Sequence, residues 1–282
     1  MFYSDDVDRE VDREIAENLK EPKIKDKDLF EVVEEVFDKS TVLAILELRK
    51  RKCLKTLKGV VSSGKEARVY WARAYDGSEL AVKIYLTATA EFKKSIWRYI
   101  QGDPRYEWVL ALPSHKLIAV WAKKEFSNLR RMFKAGVKVP EPVCFYRNVL
   151  VMRFIGENGV RAPLLKEFYE AGGLDEELAI KVFKKLIYFV YKLYWDAKLV
   201  HGDLSEYNVM IFNNEPYIID VSQAVLIDHP NALHFLRRDV INLVRFFDEE
   251  VGLEIPTVKE IMDAIFTKNL QSINVKTEGE QT

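Results

Sequence analysis

His201-Gly202-Asp203-Leu204-Ser205-Glu206-Tyr207-Asn208 and, beyond a short hairpin, Tyr217-Ile218-Ile219-Asp220 are the two stretches on which the fold turns. In the first, an Asp precedes an Asn by five positions in a loop dense with polar groups. Phosphoryl transfer needs a carboxylate that orients the attacking hydroxyl or water. It also needs an amide oxygen that helps hold a metal on the nucleotide phosphates, and this spacing supplies both. A polar loop that merely caps the next strand is the competing reading. The second stretch argues against it, because Asp220 closes a short apolar strand where it would share a Mg²⁺ ion with Asn208. Two oxygen ligands completed by phosphate oxygens and water suit Mg²⁺ or Mn²⁺ better than zinc. Asp203 is therefore the catalytic candidate, and Asn208 and Asp220 the metal ligands.

Upstream, Leu80-Ala81-Val82-Lys83 carries a strand-borne lysine that can meet the α and β phosphates of the nucleotide. Its partner should be a Glu on the following helix. Glu125 is the first candidate, on the strongly amphipathic segment 119–135, and Glu91 is the alternative. Ser62-Ser63-Gly64-Lys65-Glu66-Ala67 links two strand-like runs and could cover phosphates with backbone N–H groups. It holds one glycine and lacks the Gly-x-x-x-x-Gly-Lys-Ser/Thr spacing of a Walker loop, so alone it is an ordinary hairpin turn.

Around these motifs the chain divides by pattern. Residues 1–21 hold eight acids against three bases and read as a solvated helix or frayed tail, closed by Pro22. Residues 26–48 show helical spacing through Leu29, Val32, Val33, Val36, Val42, Leu43 and Leu46. Residues 49–58 hold six bases and no acid, a solvated face or a contact for RNA phosphates. Short strands follow Gly59, and 87–118 read as a weakly periodic, partly ordered insertion. Gly136 caps the helix 119–135. Strands are predicted at Val143–Tyr146, Val149–Phe154, Val209–Phe212 and Pro216–Ile219. Helices are predicted at 176–197, 231–249 and 257–267, and 271–282 read as a disordered tail. The expected domains are an N-terminal extension at 1–58, a first lobe at 59–152 and a second lobe at 153–270.

With 282 residues, 48% hydrophobic content and a net charge of -1, the chain is no disordered protein and no polybasic nucleic-acid binder. No charge-free run reaches the roughly 18 residues of a membrane helix. Cys53 and Cys144 are too few for a disulfide framework, so both are expected reduced in a cytoplasmic setting. His115, His229 and His234 share no metal-like spacing. Trp97, Trp108 and Trp121 read as packing residues, although they could stack on a base.

Taken together, Ser-Ser-Gly-Lys-Glu-Ala, Ala-Val-Lys, the His201–Asn208 loop and Ile-Asp-Val-Ser-Gln-Ala-Val resemble the RIO family of atypical serine kinases. So does His229-Pro230 followed by Leu236-Arg237-Arg238-Asp239-Val240. The match runs from about Gly59 to Phe247 and is nearer the archaeal first subfamily, since the segment before Gly59 is short for a winged-helix domain. The resemblance implies an α+β, two-lobed, protein-kinase-like fold in trimmed form. Its N-lobe is β-rich and antiparallel, and its C-lobe is mostly helical. It further implies ATP and Mg²⁺ as cofactors, with Lys83 and Glu125 positioning the nucleotide and Ser62 over the phosphates. Backbone groups near Met152, Arg153 and Ile155 would hold the adenine. Some family members pass phosphate to the metal-binding Asp, which would here be Asp220.

The departures are informative. Val221-Ser222-Gln223 follows Asp220, so the Asp-Phe-Gly packing switch is missing. Only 18 residues separate Asp220 from Asp239, with no Ala-Pro-Glu and little room for an activation loop. The 62 residues after Asp220 are too few for the peptide-binding helices of an ordinary kinase. Slow ATP hydrolysis or autophosphorylation coupled to a large partner is the expectation. In the resembled family that partner is the maturing small ribosomal subunit, with 49–58, Lys123-Lys124 and Arg130-Arg131 as candidate contacts to its rRNA. A small-molecule phosphotransferase of the aminoglycoside or choline kinase type is the alternative, since such enzymes also carry a His-Gly-Asp-Leu loop. Asp239 is expected to brace the catalytic-loop backbone, and His201 to steady the loop rather than exchange protons.

Overall fold

Strand β3 (Glu79–Tyr85) is buried along almost its whole length, as a strand flanked on both edges and covered on both faces must be. The structure is a computed structural model that describes residues 37–86, 90–103, 105–106, 109, 114–273 and 275. The acidic stretch 1–21, Pro22, the first part of the helical pattern 26–48, Trp108, and residues 274 and 276–282 of the tail lie outside them. The chain forms two compact units.

In the first unit, α1 (Lys39–Lys50) precedes β1 (Thr56–Ser63), β2 (Ala67–Arg73) and β3. Asp38 caps α1 by accepting from the Thr41 N–H at 2.7 Å, and Arg49 and Lys50 sit in its last turn, where the helix dipole favours cations. β4 (Pro142–Tyr146) and β5 (Val149–Arg153) complete an antiparallel sheet of order β1-β2-β3-β5-β4. Ala44, Ile45 and Leu48 of α1 pack with Tyr70, Leu80, Val82, Ile84, Val149 and Val151. Burying each such aliphatic side chain contributes about 1.5–3 kcal/mol. Phe37 meets Tyr70 edge-on at 5.1 Å.

Three expectations are corrected here. Cys53 and Cys144, 91 residues apart in sequence, are joined in a disulfide rather than reduced. The sequence conceals their nearness because it arises only when the chain leaving α1 packs beside β4, which brings their Cα atoms to 6.3 Å. The region 87–118 is more regular than its weak periodicity suggests. It contains α2 (Ala90–Ile100), and α3 (Ser114–Lys134) begins inside it. Ile96, Tyr99 and Ile100 are buried at helical spacing, while Trp97, read as packing, is 42% exposed. Lys123 and Lys124, expected as RNA contacts, are buried at 4% and 0% exposure. The Lys124 ammonium lies over the Trp121 ring, 5.0 Å from its centroid, so its charge faces an aromatic instead of water.

The second unit is mostly helical. α4 (Leu165–Glu170) and α5 (Glu176–Lys192) are followed by a π-helical turn at Leu193–Ala197. Short strands β6 (Leu199–Val200), β7 (Val209–Phe212), β8 (Glu215–Ile218) and β9 (Val225–Leu226) come next. α6 (Ala232–Val244), a second π-helical turn at Arg245–Glu250, and α7 (Val258–Thr267) close the unit. β7 and β8 form a hairpin whose two turn residues, Asn213 and Asn214, have φ of 53° and 58°. Asn tolerates that left-handed pair better than most residues, which explains the turn. Gln271 and Ser272, read as tail, end a 3₁₀ turn over Leu270–Ser272.

Candidate active site

β3 sets Lys83 opposite Val69 of β2 and Leu150 of β5, inside the sheet rather than at a strand end. Its ammonium lies 3.0 Å from Glu125 Oε1 of α3, with side-chain exposures of 11% and 1%. Tyr85, two residues on and therefore on the same sheet face, donates its hydroxyl to Glu125 Oε2. Lys83 thus pairs with Glu125. A carboxylate held this way fixes the direction of the lysine.

The rest of the sheet places the remaining nucleotide candidates. Ser62 lies exposed on β1, paired with Val69, and the turn proper is Gly64–Glu66, closed by the Gly64 N–H to Ala67 O at 2.9 Å. Met152 pairs with Ala81 on β5. The Arg153 N–H donates to Glu141 O at 2.8 Å and that of Phe154 to Glu79 O at 3.2 Å. Those two donors are thereby committed to the protein, so an adenine would have to use other backbone groups around Met152 and Ile155.

In the second unit the loop after β6 carries Asp203 and Asn208. Asn208 Nδ2 donates to the Asp203 carbonyl at 2.7 Å and, more weakly, to its carboxylate at 3.4 Å. The Ile219 N–H donates to Asn208 O at 2.9 Å, which ties the loop to the residue before Asp220. Asp220 has φ of 53°, a left-handed conformation unusual for a side-chain-bearing residue, and its exposed carboxylate accepts from Ser222 Oγ at 3.0 Å. With Nδ2 turned to Asp203, Asn208 keeps its amide oxygen as the ligand atom. An amide oxygen and a carboxylate held by adjoining backbone are hard donors that fit Mg²⁺, with phosphate oxygens and water left to complete the shell. Among the described residues, no three His, Cys, Asp or Glu side chains form a metal cluster by themselves.

Burial raises the Asp203 carboxyl above the usual range. Arg238 opposes that shift, Asp220 adds to it, and Asn208 opposes it. His201 is buried, with Nδ1 accepting from the Asp203 N–H at 3.3 Å and Nε2 facing Ile219 O at 3.3 Å. Accepting at one nitrogen and donating at the other is the behaviour of a neutral bracing imidazole.

Helix α6 and the turn after it supply Asp239, whose bracing was expected, and Arg238, Asn242 and Arg245, to which the sequence reading gave no role of this kind. Asp239 accepts from the N–H groups of Gly202 (2.8 Å) and Leu204 (2.9 Å), the bracing expected of it. Arg238 donates to the Gly202 carbonyl, and Asn242 Nδ2 to the Leu204 carbonyl at 2.9 Å. Arg245 pairs with the buried Glu206. The Arg-Arg-Asp run was the visible signal, but only the packing shows which backbone atoms it meets. Between Asp220 and α6, β9 pairs with β6, and His229 Nε2 lies 2.9 Å from Gln101 O. That stretch is thus structural and leaves no free activation loop.

Burial pushes the Asp239 carboxyl up from 3.8 to about 7, against the lowering effect of its two N–H donors and Arg238. The folded chain therefore holds this proton more tightly than the unfolded chain, and Asp239 costs stability as pH rises from about 4 to about 7. Asp239→Asn cannot ionise, so its Tm deficit relative to the parent should shrink across that window. A deficit that grows with pH would contradict the burial argument.

Comparison with known proteins agrees with this geometry. The RIO domain family model matches residues 68–261. Serine/threonine-protein kinase RIO1 of Caenorhabditis elegans is 39% identical over 273 residues, covering 96% of this chain and 52% of that protein. RIO-type serine/threonine-protein kinase Rio1 of Methanocaldococcus jannaschii is 40% identical over 246 residues, covering 87% and 81%. The chain spans about half the length of the C. elegans and human relatives, 52% and 47% respectively. The crystal structure of the Rio2 kinase-ADP/Mg²⁺-phosphoaspartate complex from Chaetomium thermophilum superposes with a TM-score of 0.59 at 23% identity. It covers 81% of this chain and 70% of that one, a likeness of fold. With the family model matching well over half of its length and relatives near 40% identity, this chain belongs to the RIO-domain family.

Proposed function

We propose that this protein is an ATP- and Mg²⁺-dependent atypical serine/threonine kinase with ATPase activity. The observation that carries the reading is the join between the Asp203–Asn208 loop and Asp220 through the Ile219 N–H. It sets a general-base candidate beside two oxygen donors suited to a nucleotide-bound metal. Asn208 and Asp220 would hold Mg²⁺, which when bound neutralises charge on the phosphates. Lys83, steered by Glu125, meets the α and β phosphates, Ser62 and its turn lie over them, and Asp203 orients the attacking oxygen. Met152, Ile155 and their neighbours hold the base. The Chaetomium Rio2 complex contains a phosphoaspartate, and in this chain Asp220 would be the transient phosphate carrier.

The large partner we assign is the precursor small ribosomal subunit. Lys50, Arg51, Lys52, Lys55 and Lys58 are exposed, as a contact to rRNA phosphates requires. A cytoplasmic setting fits that partner, and among the described residues no helix is long and apolar enough to cross a membrane.

The test is single-turnover ATP hydrolysis with Mg²⁺, with and without small ribosomal subunits, while acid-labile and acid-stable protein-bound phosphate are followed. The expected result is hydrolysis that responds to subunits and an acid-labile adduct absent from Asp220→Ala. Acid-stable serine phosphate with no response to subunits would overturn the ribosomal assignment. No ATP turnover under either condition would overturn the reading as a whole.

A further inference from the structure

The mechanism above leaves the guanidinium of Arg238, beside Asp203, unused. Arg238 Nη2 lies 3.9 Å from Asp203 Oδ1 and donates to the carbonyl of Gly202, the residue before it. It reaches the Tyr99 hydroxyl at 3.4 Å, and the guanidinium rests over the Phe235 ring at 5.3 Å. Its Nε is buried without a hydrogen-bond partner. The guanidinium is therefore placed by packing on Phe235 and by the loop itself.

The neighbouring contacts give this placement a purpose. Asp239 takes the N–H groups of Gly202 and Leu204, and Asn242 donates to the Leu204 carbonyl. Arg238 takes the one remaining acceptor in that set, the Gly202 carbonyl. Gly202 has φ of 80°, a region that favours glycine, and its peptide is held from both sides, at the N–H by Asp239 and at the carbonyl by Arg238. The carboxylate of Asp203 is approached at both oxygens, at longer range. Asn208 Nδ2 approaches Oδ2, and Arg238 faces Oδ1.

The geometry points to Arg238 as the positioning residue of the catalytic carboxylate. It anchors the peptide that carries Asp203 and supplies the fixed positive charge that sets the direction of its Oδ1. Arginine suits both tasks, being always charged and presenting several donors in a rigid plane. This inference rests on Asp203 acting in the reaction.

The experiment compares the parent with Arg238→Ala, Arg238→Gln and Arg238→Lys in ATP turnover, with Asp203→Ala as the control. Misplacing a reacting group by about 1 Å costs on the order of 100-fold. Arg238→Ala and Arg238→Gln should therefore lose about 100-fold in kcat with KM for ATP changed less than about threefold. Arg238→Lys should recover at least about tenfold of that loss, since it restores charge and a donor. Added guanidinium should raise the rate of Arg238→Ala and leave Asp203→Ala unchanged. Far-ultraviolet dichroism and Tm identify a variant that fails to fold, and Arg238→Gln is the version that retains a side-chain N–H. Parent-like kcat in Arg238→Gln would overturn the proposal, as would a loss that neither Lys nor guanidinium recovers. If Asp203→Ala itself turns over ATP at the parental rate, the failure lies in the underlying functional reading.

Discussion

Asp203→Ala is expected to lower ATP turnover by about 10³-fold and to leave ATP affinity within a few-fold of the parent. A positioned general base contributes typically about 10²–10⁴-fold. The upper part of that range applies because both Asp203 oxygens are approached by fixed groups, Asn208 and Arg238. Affinity should hold because the proposed function gives the phosphates to Lys83 and the metal to Asn208 and Asp220. Asp203→Asn makes the same test with less change in shape, keeping the side-chain volume and losing the charge. Turnover is read under single-turnover conditions and affinity by direct titration. A parental rate in either variant would remove Asp203 from the mechanism, whereas a parallel collapse of rate and affinity would make it a binding residue.

The second large effect is on stability. Glu125→Ala should destabilise the folded chain by about 3–5 kcal/mol, the usual cost of breaking a buried ion pair from one side. The Glu125 side chain is 1% exposed, takes the Lys83 ammonium at 3.0 Å and accepts the Tyr85 hydroxyl. Glu125→Gln keeps an acceptor in place and should lose less. Urea denaturation of parent, Ala and Gln variants at pH 7 gives the comparison. A loss below about 1 kcal/mol in Glu125→Ala would mean that the pair is solvated and that Lys83 is not fixed by it. ATP affinity should fall in both variants, because a lysine freed from its partner spends its charge elsewhere.

Much of this was legible in the sequence, and the reasons are local. β7 spans Val209–Phe212 as expected, and β4 and β5 differ from the predicted strands by a residue at one end. Strand alternation and the Asn213-Asn214 turn are written within a few residues of each other. The Asp203–Asn208 spacing was legible for the same reason. Lys83 and Glu125 were harder, being 42 positions apart, yet each sits on a strongly patterned element.

What was hidden depends on contacts between distant segments. Nothing near Cys53 announces Cys144, because the pair exists only through the packing beside β4. Lys123 and Lys124 look like surface bases until α3 turns them inward. Asp239 was read as a brace of the loop, but Arg238 and Asn242 are ordinary helix residues until α6 lies against it, where each meets a backbone atom more than 30 positions away. Charge and periodicity report which face of a helix is wet. They do not report which carbonyl a guanidinium will reach.

The central claim is that Asn208 and Asp220 hold Mg²⁺ on a bound nucleotide. Calorimetric titration of ATP into the full chain, once with Mg²⁺ and once with the metal chelated, tests it most directly. The account predicts binding at one site that weakens at least about tenfold, or about 1.4 kcal/mol, when Mg²⁺ is removed. It also predicts that Asp220→Ala binds equally in both conditions. Absence of ATP binding, or binding by the parent that is indifferent to Mg²⁺, would contradict it.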